Sequence, residues 1–210
     1  MPSKFVIGSA ALLKAALASW SEIAPNETLY PIDVGQDRDY RFDLTVISNA
    51  SPSDATAFVI WGSQFLNFRR LELMGELKSR GFRMPPLICR GALIAPTSTI
   101  GENCVIGAGT IIGAGCRVGF NSVIGAGCVL GAEAQIASST WIGDGVMIGM
   151  QSRVGANATL GAGVILSDGV SIGKQSILDL PGRHSESLPE KTFILSTFPS
   201  AVSITDSGRP

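Results

Sequence analysis

Histidine, net charge and long apolar runs are all scarce in this sequence. One histidine, His184, occurs in 210 residues, so it is the only imidazole available for acid–base chemistry or metal binding. The formal net charge of −1 gives no electrostatic reason to expect binding to nucleic acid or to an anionic membrane. No apolar run reaches the roughly 18 residues that a transmembrane helix requires, so no membrane insertion is expected.

The apolar stretch at 5–18 permits two interpretations. It resembles the apolar region of a signal peptide, with Ala16-Leu17-Ala18 as the cleavage site. Lys14 interrupts the stretch, however, and a strand followed by a helix explains it better. We therefore expect a cytoplasmic protein.

A six-residue repeat dominates residues 88–178. Every sixth residue is aliphatic, and the sixteen positions are Ile88, Ile94, Ile100, Ile106, Ile112, Val118, Ile124, Leu130, Ile136, Ile142, Ile148, Val154, Leu160, Leu166, Ile172 and Leu178. The next residue is usually Gly, and the residue four positions after each aliphatic one is small. A fixed internal period is a stronger signal than any local propensity.

The period fits a short strand and a sharp corner rather than a helix or one long strand. Three hexads close a triangular coil, and successive coils stack as parallel strands about 4.8 Å apart. The small and aliphatic residues point inward, which predicts a β-helix of roughly five coils. Asn103, Asn121 and Asn157 share one corner, where they either form a hydrogen-bonded column or only tolerate a left-handed backbone.

The outward residues divide into three faces. The first is polar and carries Thr99, Arg117, Gln135, Arg153 and Ser171. The other two are largely apolar: Val105, Val123, Trp141, Thr159 and Ile177 on one, and Leu93, Ile111, Val129, Met147 and Ile165 on the other. A monomer should not expose so large an apolar surface, so we expect a homotrimer. The alternative is that the N-terminal segment folds back over one face.

Three of the four cysteines occupy the small inward position, twelve residues apart. On a coil of 18 residues this spacing places Cys104, Cys116 and Cys128 on different faces, so they neither pair nor converge on a metal ion. They are expected to fill the core in a reducing compartment.

Residues 1–86 are predicted to form a small α/β domain, and residues 179–210 a C-terminal tail or cap. The predicted elements are a strand at 4–7, a helix at 10–20, apolar strand-like runs at 44–47 and 57–61, and a helix at 65–80 ended by Gly81. Strands that alternate with helices favour a parallel sheet. Pro85-Pro86 marks the boundary with the β-helix.

The loop after the first strand is a candidate phosphate site. Gly8 and Ser9 lie where such domains often bind a nucleotide, which makes them candidate substrate-binding residues. The loop has a single Gly and no G-x-G-x-x-G motif, so a domain that only caps and packs remains an open alternative.

The unbroken [LIV]-G-x-x-[STAVC]-x pattern resembles that of the hexapeptide-repeat acyltransferases, which fold as left-handed parallel β-helices. With the α/β domain in front, the chain resembles the NeuD and PglD type, which acetylates sialic acids and amino-sugar nucleotides. The resemblance implies a homotrimer that binds acetyl-CoA or another acyl-CoA along the β-helix, and a sugar nucleotide near the N-terminal domain. Candidate acyl-CoA contacts are Trp141, Gly143, Gly149 and Gly161.

The chain departs from this family at the catalytic position. The family places a His and an acidic residue in one mid-helix corner, which here reads Ala132-Glu133, and a second His matches Trp141. Without a His base, transfer to an amine is favoured over transfer to a hydroxyl, because a sugar amine with a pKa near about 8 is partly unprotonated at neutral pH. Glu133 is the candidate catalytic residue, and backbone N–H groups at the Gly corners are expected to hold the thioester oxygen.

Two functions therefore remain open from the sequence. The first is CoA-dependent N-acylation of an amino-sugar nucleotide, without a metal. The alternative is a catalytically inactive homologue that acts as a trimeric scaffold or binds a protein partner. His184 either reaches a neighbour's active site or is a surface residue of the tail.

Overall fold

The computed structural model describes residues 3–38, 41–47, 51–53 and 55–204. The chain begins with a parallel sheet of three strands in the order β2-β1-β3. These strands are β1 (Ser3–Gly8), β2 (Thr28–Asp33) and β3 (Ala55–Val59). Helices α1 (Ala10–Ile23) and α2 (Phe68–Ser79) cover the sheet, and a 3₁₀ helix spans Leu44–Ile47.

The sheet is buried on both sides because successive side chains of a strand point in opposite directions. Val6 packs with Leu13 and Trp20 of α1, whereas Ile7 packs with Leu73 of α2. The predicted strand at 4–7, the helix at 10–20 and the parallel sheet are confirmed.

Three details differ from the sequence-based expectations. The apolar run at 44–47 is a 3₁₀ helix rather than a strand. The edge strand β2 has no strong strand signal, because Pro31 lies within it. Helix α2 begins at Phe68 rather than at residue 65, since residues 65–67 adopt a left-handed turn.

Residues 87–195 form the β-helix, whose strands stack into three parallel sheets. The interdomain sheet contains β4 (Leu87–Ile88), β7 (Val105–Ile106), β10 (Val123–Ile124), β13 (Trp141–Ile142), β16 (Thr159–Leu160) and β19 (Ile177–Asp179). The apolar sheet contains β5 (Leu93–Ile94), β8 (Ile111–Ile112), β11 (Val129–Leu130), β14 (Met147–Ile148) and β17 (Val164–Leu166). The polar sheet contains β6 (Thr99–Ile100), β9 (Arg117–Val118), β12 (Gln135–Ile136), β15 (Arg153–Val154) and β18 (Ser171–Ile172).

The predicted fold class is confirmed. Partners in each sheet are 18 residues apart, as for Val123 and Trp141, and the repeated aliphatic residues form one continuous core. Cys104, Cys116 and Cys128 point into this core as free thiols, each before a strand of a different sheet.

The β-helix continues past Leu178, where the hexapeptide pattern ends. Strand β20 (Gly182–His184) extends the apolar sheet, and β21 (Thr192–Leu195) extends the interdomain sheet. A bridge from Leu188 to Ile172 extends the polar sheet, so residues 182–195 complete one further coil. Strand β22 (Phe198–Ser203) then runs antiparallel to β21. Residues 205–210 of the expected tail lie outside the described residues.

The N-terminal domain covers part of one apolar face. Leu87 and Val105 of the interdomain sheet pack in the same cluster as Trp20 of α1. The apolar sheet is not covered in this way: Leu93 is 64% exposed and Met147 46%. The N-terminal domain therefore covers the first strands of the interdomain sheet and leaves the apolar sheet open.

The corner that follows the polar sheet joins the two domains, and we call it the Asn corner (101–103, 119–121, 137–139, 155–157 and 173–175). Asn103 donates its side-chain amide to Asn121 Oδ1 at 2.8 Å, and Asn121 donates to Ser139 Oγ at 3.1 Å. The predicted column is thus hydrogen-bonded for Asn103 and Asn121 and continues to Ser139, whereas Asn157 donates to the Leu66 carbonyl instead. Asn103 Oδ1 also accepts the Val59 N–H at 2.8 Å, which ties β3 to the β-helix.

Within the described part of the chain, no helix has the length and apolar character needed to cross a bilayer.

Candidate functional site

A cavity of about 270 Å³ lies at the carboxyl edge of the N-terminal sheet. It is lined by the first residues of α1, from Ser9 to Leu12, and by Trp61, Gly62 and Gln64 after β3. The Ser9 side chain does not cap the helix, and the first turn carries no acidic residue. The free N–H groups of this 14-residue helix therefore face a cavity that can take an anionic group.

Gly8 contributes to the cavity only indirectly. It is buried at the end of β1, and a Cβ there would lie 2.6 Å from the Ile60 carbonyl oxygen. Glycine is thus required for close packing of β1 against the residues that follow β3. The structure places the predicted Ser9 in the cavity and gives Gly8 a packing role.

A second cavity, the Trp141 groove, has a volume of about 370 Å³ and follows the interdomain sheet. Three of the four predicted acyl-CoA contacts, Trp141, Gly143 and Gly161, line it together. Asp144 and Asp179 line the same groove, and Ser63 lies on its wall from the N-terminal domain. Sequence analysis did not identify these three, because their approach depends on the docking of the two domains and on the next coil.

Gly149 lies outside the Trp141 groove. It belongs to the following corner, where a Cβ would lie 2.5 Å from the Asp168 N atom of the next coil. The backbone N–H groups of Gly143 and Gly161 donate hydrogen bonds to the carbonyl oxygens of Leu160 and Leu178, respectively, each at 2.8 Å. The N–H groups of Gly143 and Gly161 are therefore not free to hold a thioester oxygen, since the ladder of the β-helix already uses them, and a role for the other N–H groups of the Gly corners stays a prediction.

A third groove, of about 770 Å³, contains Glu133, and we call it the Glu133 groove. It follows the polar sheet and is lined by Gly115, Arg117, Glu133, Gln135, Gln151, Arg153, Gly169 and Ser171. Gln151 donates to Glu133 Oε2 at 2.9 Å, which orients the exposed carboxylate. Among the described residues neither Arg117 nor Arg153 has an acidic partner, so the groove carries two unneutralised cations.

Glu133 and Trp141 lie at different corners of the β-helix. Glu133 follows β11 of the apolar sheet, whereas the Trp141 groove borders the corner that precedes that sheet. The whole apolar sheet separates the two grooves within one chain. A single subunit therefore does not bring the predicted catalytic and acyl-CoA residues together.

The one histidine is also remote from Glu133. His184 stands in the inward register of the apolar sheet, above Leu166, Ile148 and Leu130. Three coil spacings place it about 14 Å from the strand that precedes Glu133. It is half-buried, and its Nε2 lies 2.8 Å from the Leu180 carbonyl oxygen. His184 is thus part of the added coil rather than a residue of a loose tail.

No group of three or more His, Cys, Asp or Glu side chains that could hold a metal ion occurs among residues 3–38, 41–47, 51–53 and 55–204.

Solved structures with the same overall architecture include acetyltransferases. A histidine-to-alanine variant of GDP-perosamine N-acetyltransferase from Caulobacter crescentus, in complex with CoA and GDP-perosamine, is 22% identical with a TM-score of 0.81, covering 96% of this chain and 97% of that one. WeeI from Acinetobacter baumannii AYE is 15% identical with a TM-score of 0.80, covering 96% and 100%. The acetyltransferase domain of PglB from Neisseria gonorrhoeae FA1090 is 17% identical with a TM-score of 0.63, covering 96% and 99%.

These similarities establish that the chain has the fold of the hexapeptide-repeat acetyltransferases, with the α/β domain included. No curated protein shows significant sequence similarity to the chain. At the level of families, residues 84–192 match the GMPPB C-terminal domain, and the match begins at the domain boundary and ends in the added coil. The chain belongs to the family of the GMPPB C-terminal domain.

Proposed function

We propose that this protein is a CoA-dependent acyltransferase that N-acylates a nucleotide-linked amino sugar, and that it works as a homotrimer in the cytoplasm. The observation that carries the proposal is that one short segment borders two cavities. Gly62 and Gln64 line the cavity at the α1 N-terminus, whereas Ser63 between them lines the Trp141 groove, so residues 62–64 form the wall between the two cavities. An anionic nucleotide in the first cavity can therefore extend its sugar toward an acyl group in the second.

The similar structures support both ligands. The C. crescentus protein is an N-acetyltransferase for GDP-perosamine, and its histidine-to-alanine variant holds CoA and GDP-perosamine together. Loss of one histidine thus leaves both ligands bound in that protein, and we infer that this chain, with Ala132 in the position that the family resemblance assigns to a histidine, binds both ligand classes as well. The three free inward thiols fit a reducing compartment, which supports the cytoplasmic location.

The chemistry requires little from the protein if the acceptor is an amine. The unprotonated amine attacks the thioester carbonyl carbon, the C–S bond breaks, and CoA leaves as a thiolate while the new amide forms. The proton released from nitrogen passes to a carboxylate or to water. Positioning of the two reactants supplies most of the acceleration.

Glu133 takes part in this reaction only if a neighbouring subunit supplies it. Its groove and the Trp141 groove are separated by the apolar sheet in one chain. Association through the exposed residues of that sheet brings a corner of one subunit close to a face of the next. In this arrangement the Glu133 carboxylate, held by Gln151, orients the amine or accepts its proton.

Acetyl-CoA binding tests the donor half of the proposal. We expect calorimetric titration of the purified protein to give micromolar affinity at one site per subunit, with a trimeric mass by light scattering on the same sample. An intact trimer that does not bind acetyl-CoA would contradict the proposal.

Turnover tests the acceptor half, with GDP-perosamine and other GDP- or UDP-linked amino sugars as substrates. We expect kcat/KM to rise with pH as the acceptor amine loses its proton near about pH 8. Glu133→Gln should lower kcat about tenfold or more, within the range for loss of a general acid or base. The matched control is Glu186→Gln, an exposed carboxylate near His184 that should leave kcat unchanged.

The alternative function is a non-catalytic trimeric scaffold. Ala132 in the position of the family's histidine favours it, as does the distance of His184 from Glu133. A trimer that binds neither acetyl-CoA nor any nucleotide-linked sugar would support this alternative.

A further inference from the structure

The segment between β3 and α2 contains an unusual turn. Phe65, Leu66 and Asn67 have φ values of 51°, 52° and 64°, so three consecutive residues other than glycine adopt the left-handed conformation. This conformation brings Cβ close to the following carbonyl oxygen, and runs of it are rare. A run of this kind persists only where surrounding contacts hold it, and such strain concentrates at functional sites.

The β-helix supplies the contacts that hold this left-handed turn. Asn157 of the Asn corner donates its side-chain amide to the Leu66 carbonyl at 2.9 Å, across 91 positions of sequence. Asn67 is 2% exposed, and its Nδ2 lies 3.5 Å from the Ala158 carbonyl. The backbone N–H of Asn67 points back to the Ser63 and Gln64 carbonyls at 3.3 and 3.2 Å.

The turn sets the position of the wall between the two cavities. Gly62 and Gln64 line the cavity at the α1 N-terminus, and Ser63 lines the Trp141 groove. The Ser63 side chain is exposed and has no hydrogen-bond partner among the described residues. Gln64 is oriented by Trp61, whose Nε1 donates to Gln64 Oε1 at 3.1 Å, so the amide N–H groups of Gln64 remain available.

We infer that Ser63 binds the sugar of the acceptor, and that Asn157 is a positioning residue that acts through the left-handed turn. The inference rests on the proposed function. It adds that a separate group, the Ser63 hydroxyl, recognises the sugar and not the nucleotide. The diphosphate lies at the α1 N-terminus, and the sugar crosses the wall over Ser63 toward the acyl group. The turn fixes the position of the Ser63 hydroxyl, because the β-helix holds Leu66 and Asn67 of the turn in place.

The first experiment separates sugar recognition from nucleotide recognition. Binding of GDP, UDP and the GDP- and UDP-linked amino sugars is measured by calorimetry for the wild type and for Ser63→Ala. We expect the affinity for the linked sugar to fall about five- to tenfold, the usual loss for one hydrogen bond to a ligand. The affinity for the nucleoside diphosphate alone should stay within about twofold, since Ser63 does not line the first cavity.

The second experiment tests the positioning role of Asn157. Glycine keeps the left-handed backbone of the corner without strain, so Asn157→Gly removes mainly the contact with Leu66. We expect KM for the amino-sugar nucleotide to rise and kcat to fall, with KM for acetyl-CoA unchanged. Gln175→Gly is the matched control, because Gln175 has the same φ of 58° at the same corner and, among the described residues, makes no hydrogen bond to the turn.

The outcomes distinguish this inference from the proposed function. If the wild type binds nucleotide-linked sugars and Ser63→Ala binds them equally well, Ser63 does not contact the sugar and the inference is wrong while the function stands. Equal kinetic changes in Asn157→Gly and Gln175→Gly would show a general effect on the corner and would overturn the positioning role. If the wild type binds no nucleotide-linked sugar, both the function and the inference fail.

Discussion

Small inward side chains connect each coil to the next. Ser98 donates to the Gly113 carbonyl at 2.7 Å, Thr110 to Gly125 at 2.8 Å, and Cys104 to Gly119 at 3.0 Å. Each donor reaches an acceptor fifteen residues further on, in the corner of the coil above. A short donor is required because a longer side chain would displace the aliphatic core, so serine, threonine and cysteine alternate at this position.

Cys104 should make stability depend on alkaline pH. Burial raises the pKa of its thiol in the folded protein, whereas the unfolded thiol ionises near about pH 8.5. The unfolded state therefore loses its proton first, and the free energy of unfolding falls as pH rises above that value. Between pH 7.5 and 9.5 this effect should lower the free energy of unfolding of the wild type by about 1 kcal/mol. Cys104→Ser should lack this decrease, and urea unfolding at the two pH values measures the difference. Equal pH slopes for the two proteins would contradict the prediction.

Arg70 is the buried cation that joins the two domains. Its side chain is 1% exposed and donates to the carbonyls of Asn103 at 2.6 Å, Asn121 at 2.8 Å and Val59 at 3.3 Å. Burial lowers its pKa to about 10, so the guanidinium remains charged at neutral pH. Three carbonyl dipoles offset the cost of burying that charge, and no carboxylate among the described residues pairs with it.

Arg70→Met should strongly destabilise the protein, because the buried carbonyls of Asn103 and Asn121 lose the donor that Arg70 supplies and the Val59 carbonyl keeps only the Asn103 side chain. We expect a loss of about 3 kcal/mol in the free energy of unfolding, measured by urea denaturation. Arg69→Met is the control, since Arg69 pairs with the exposed Glu72 and should change stability by less than about 1 kcal/mol. A similar loss in both variants would show that Arg70 has no special role at the domain boundary.

At the scale of the element, the two-residue strands of the β-helix depend on their corners. Glycines occur at two kinds of corner position, for different reasons. A Cβ on Gly107 would lie 2.5 Å from the Ala126 N atom of the next coil, so no side chain fits there. Gly109 has open space around it, but its φ of +69° disfavours other residues. The first position is limited by space and the second by backbone conformation.

This difference predicts unequal effects of alanine within one corner. Gly107→Ala must separate two coils and should cost about 3 kcal/mol or more, comparable to severe overpacking. Gly109→Ala should cost about 1 to 2 kcal/mol from the left-handed backbone alone. Gly109→Asn should cost less than Gly109→Ala, because Asn tolerates this conformation, as it does at Asn103 and Asn121. Thermal and urea unfolding of the three variants would test this order.

At the scale of the whole molecule, one apolar face remains open. The N-terminal domain packs over the first strands of the interdomain sheet, but Leu93, Ile111 and Met147 of the apolar sheet stay exposed. A large apolar face on a soluble protein is typical of a subunit contact. The proposed trimer buries this face and would bring Glu133 of one subunit toward its neighbour.

Ile111→Lys should reduce the mass in solution to that of a monomer, because the lysine places a charge within the open face. The control is Thr99→Lys, at the equivalent position of the polar sheet two strands earlier, which should leave the mass unchanged. Light scattering gives the mass, and circular dichroism shows whether each variant is folded. A wild type that is monomeric, or an Ile111→Lys variant of unchanged mass, would argue against this contact.

The sequence by itself determined the β-helix, its three faces and its core. A hexad rule applied coil by coil is a local rule, so each aliphatic residue and each corner can be placed without knowledge of the rest. The same reasoning placed the cysteines on separate faces and the Asn column at one corner. It also located Ser9 beside a cavity, because Ser9 follows a strand whose end is visible in the sequence, whereas Glu133 was identified only through the family resemblance.

Only the tertiary structure decided how the site is divided. The contact of Asn157 with Leu66 spans 91 residues, and the contact of Arg70 with Asn121 spans 51. No local sequence pattern predicts either contact. The left-handed turn at 65–67 has the composition of a helix start and takes its form from the docked β-helix. The added coil at 182–195 has no hexad signature, and it forms because the open edges of the last regular coil need hydrogen-bond partners.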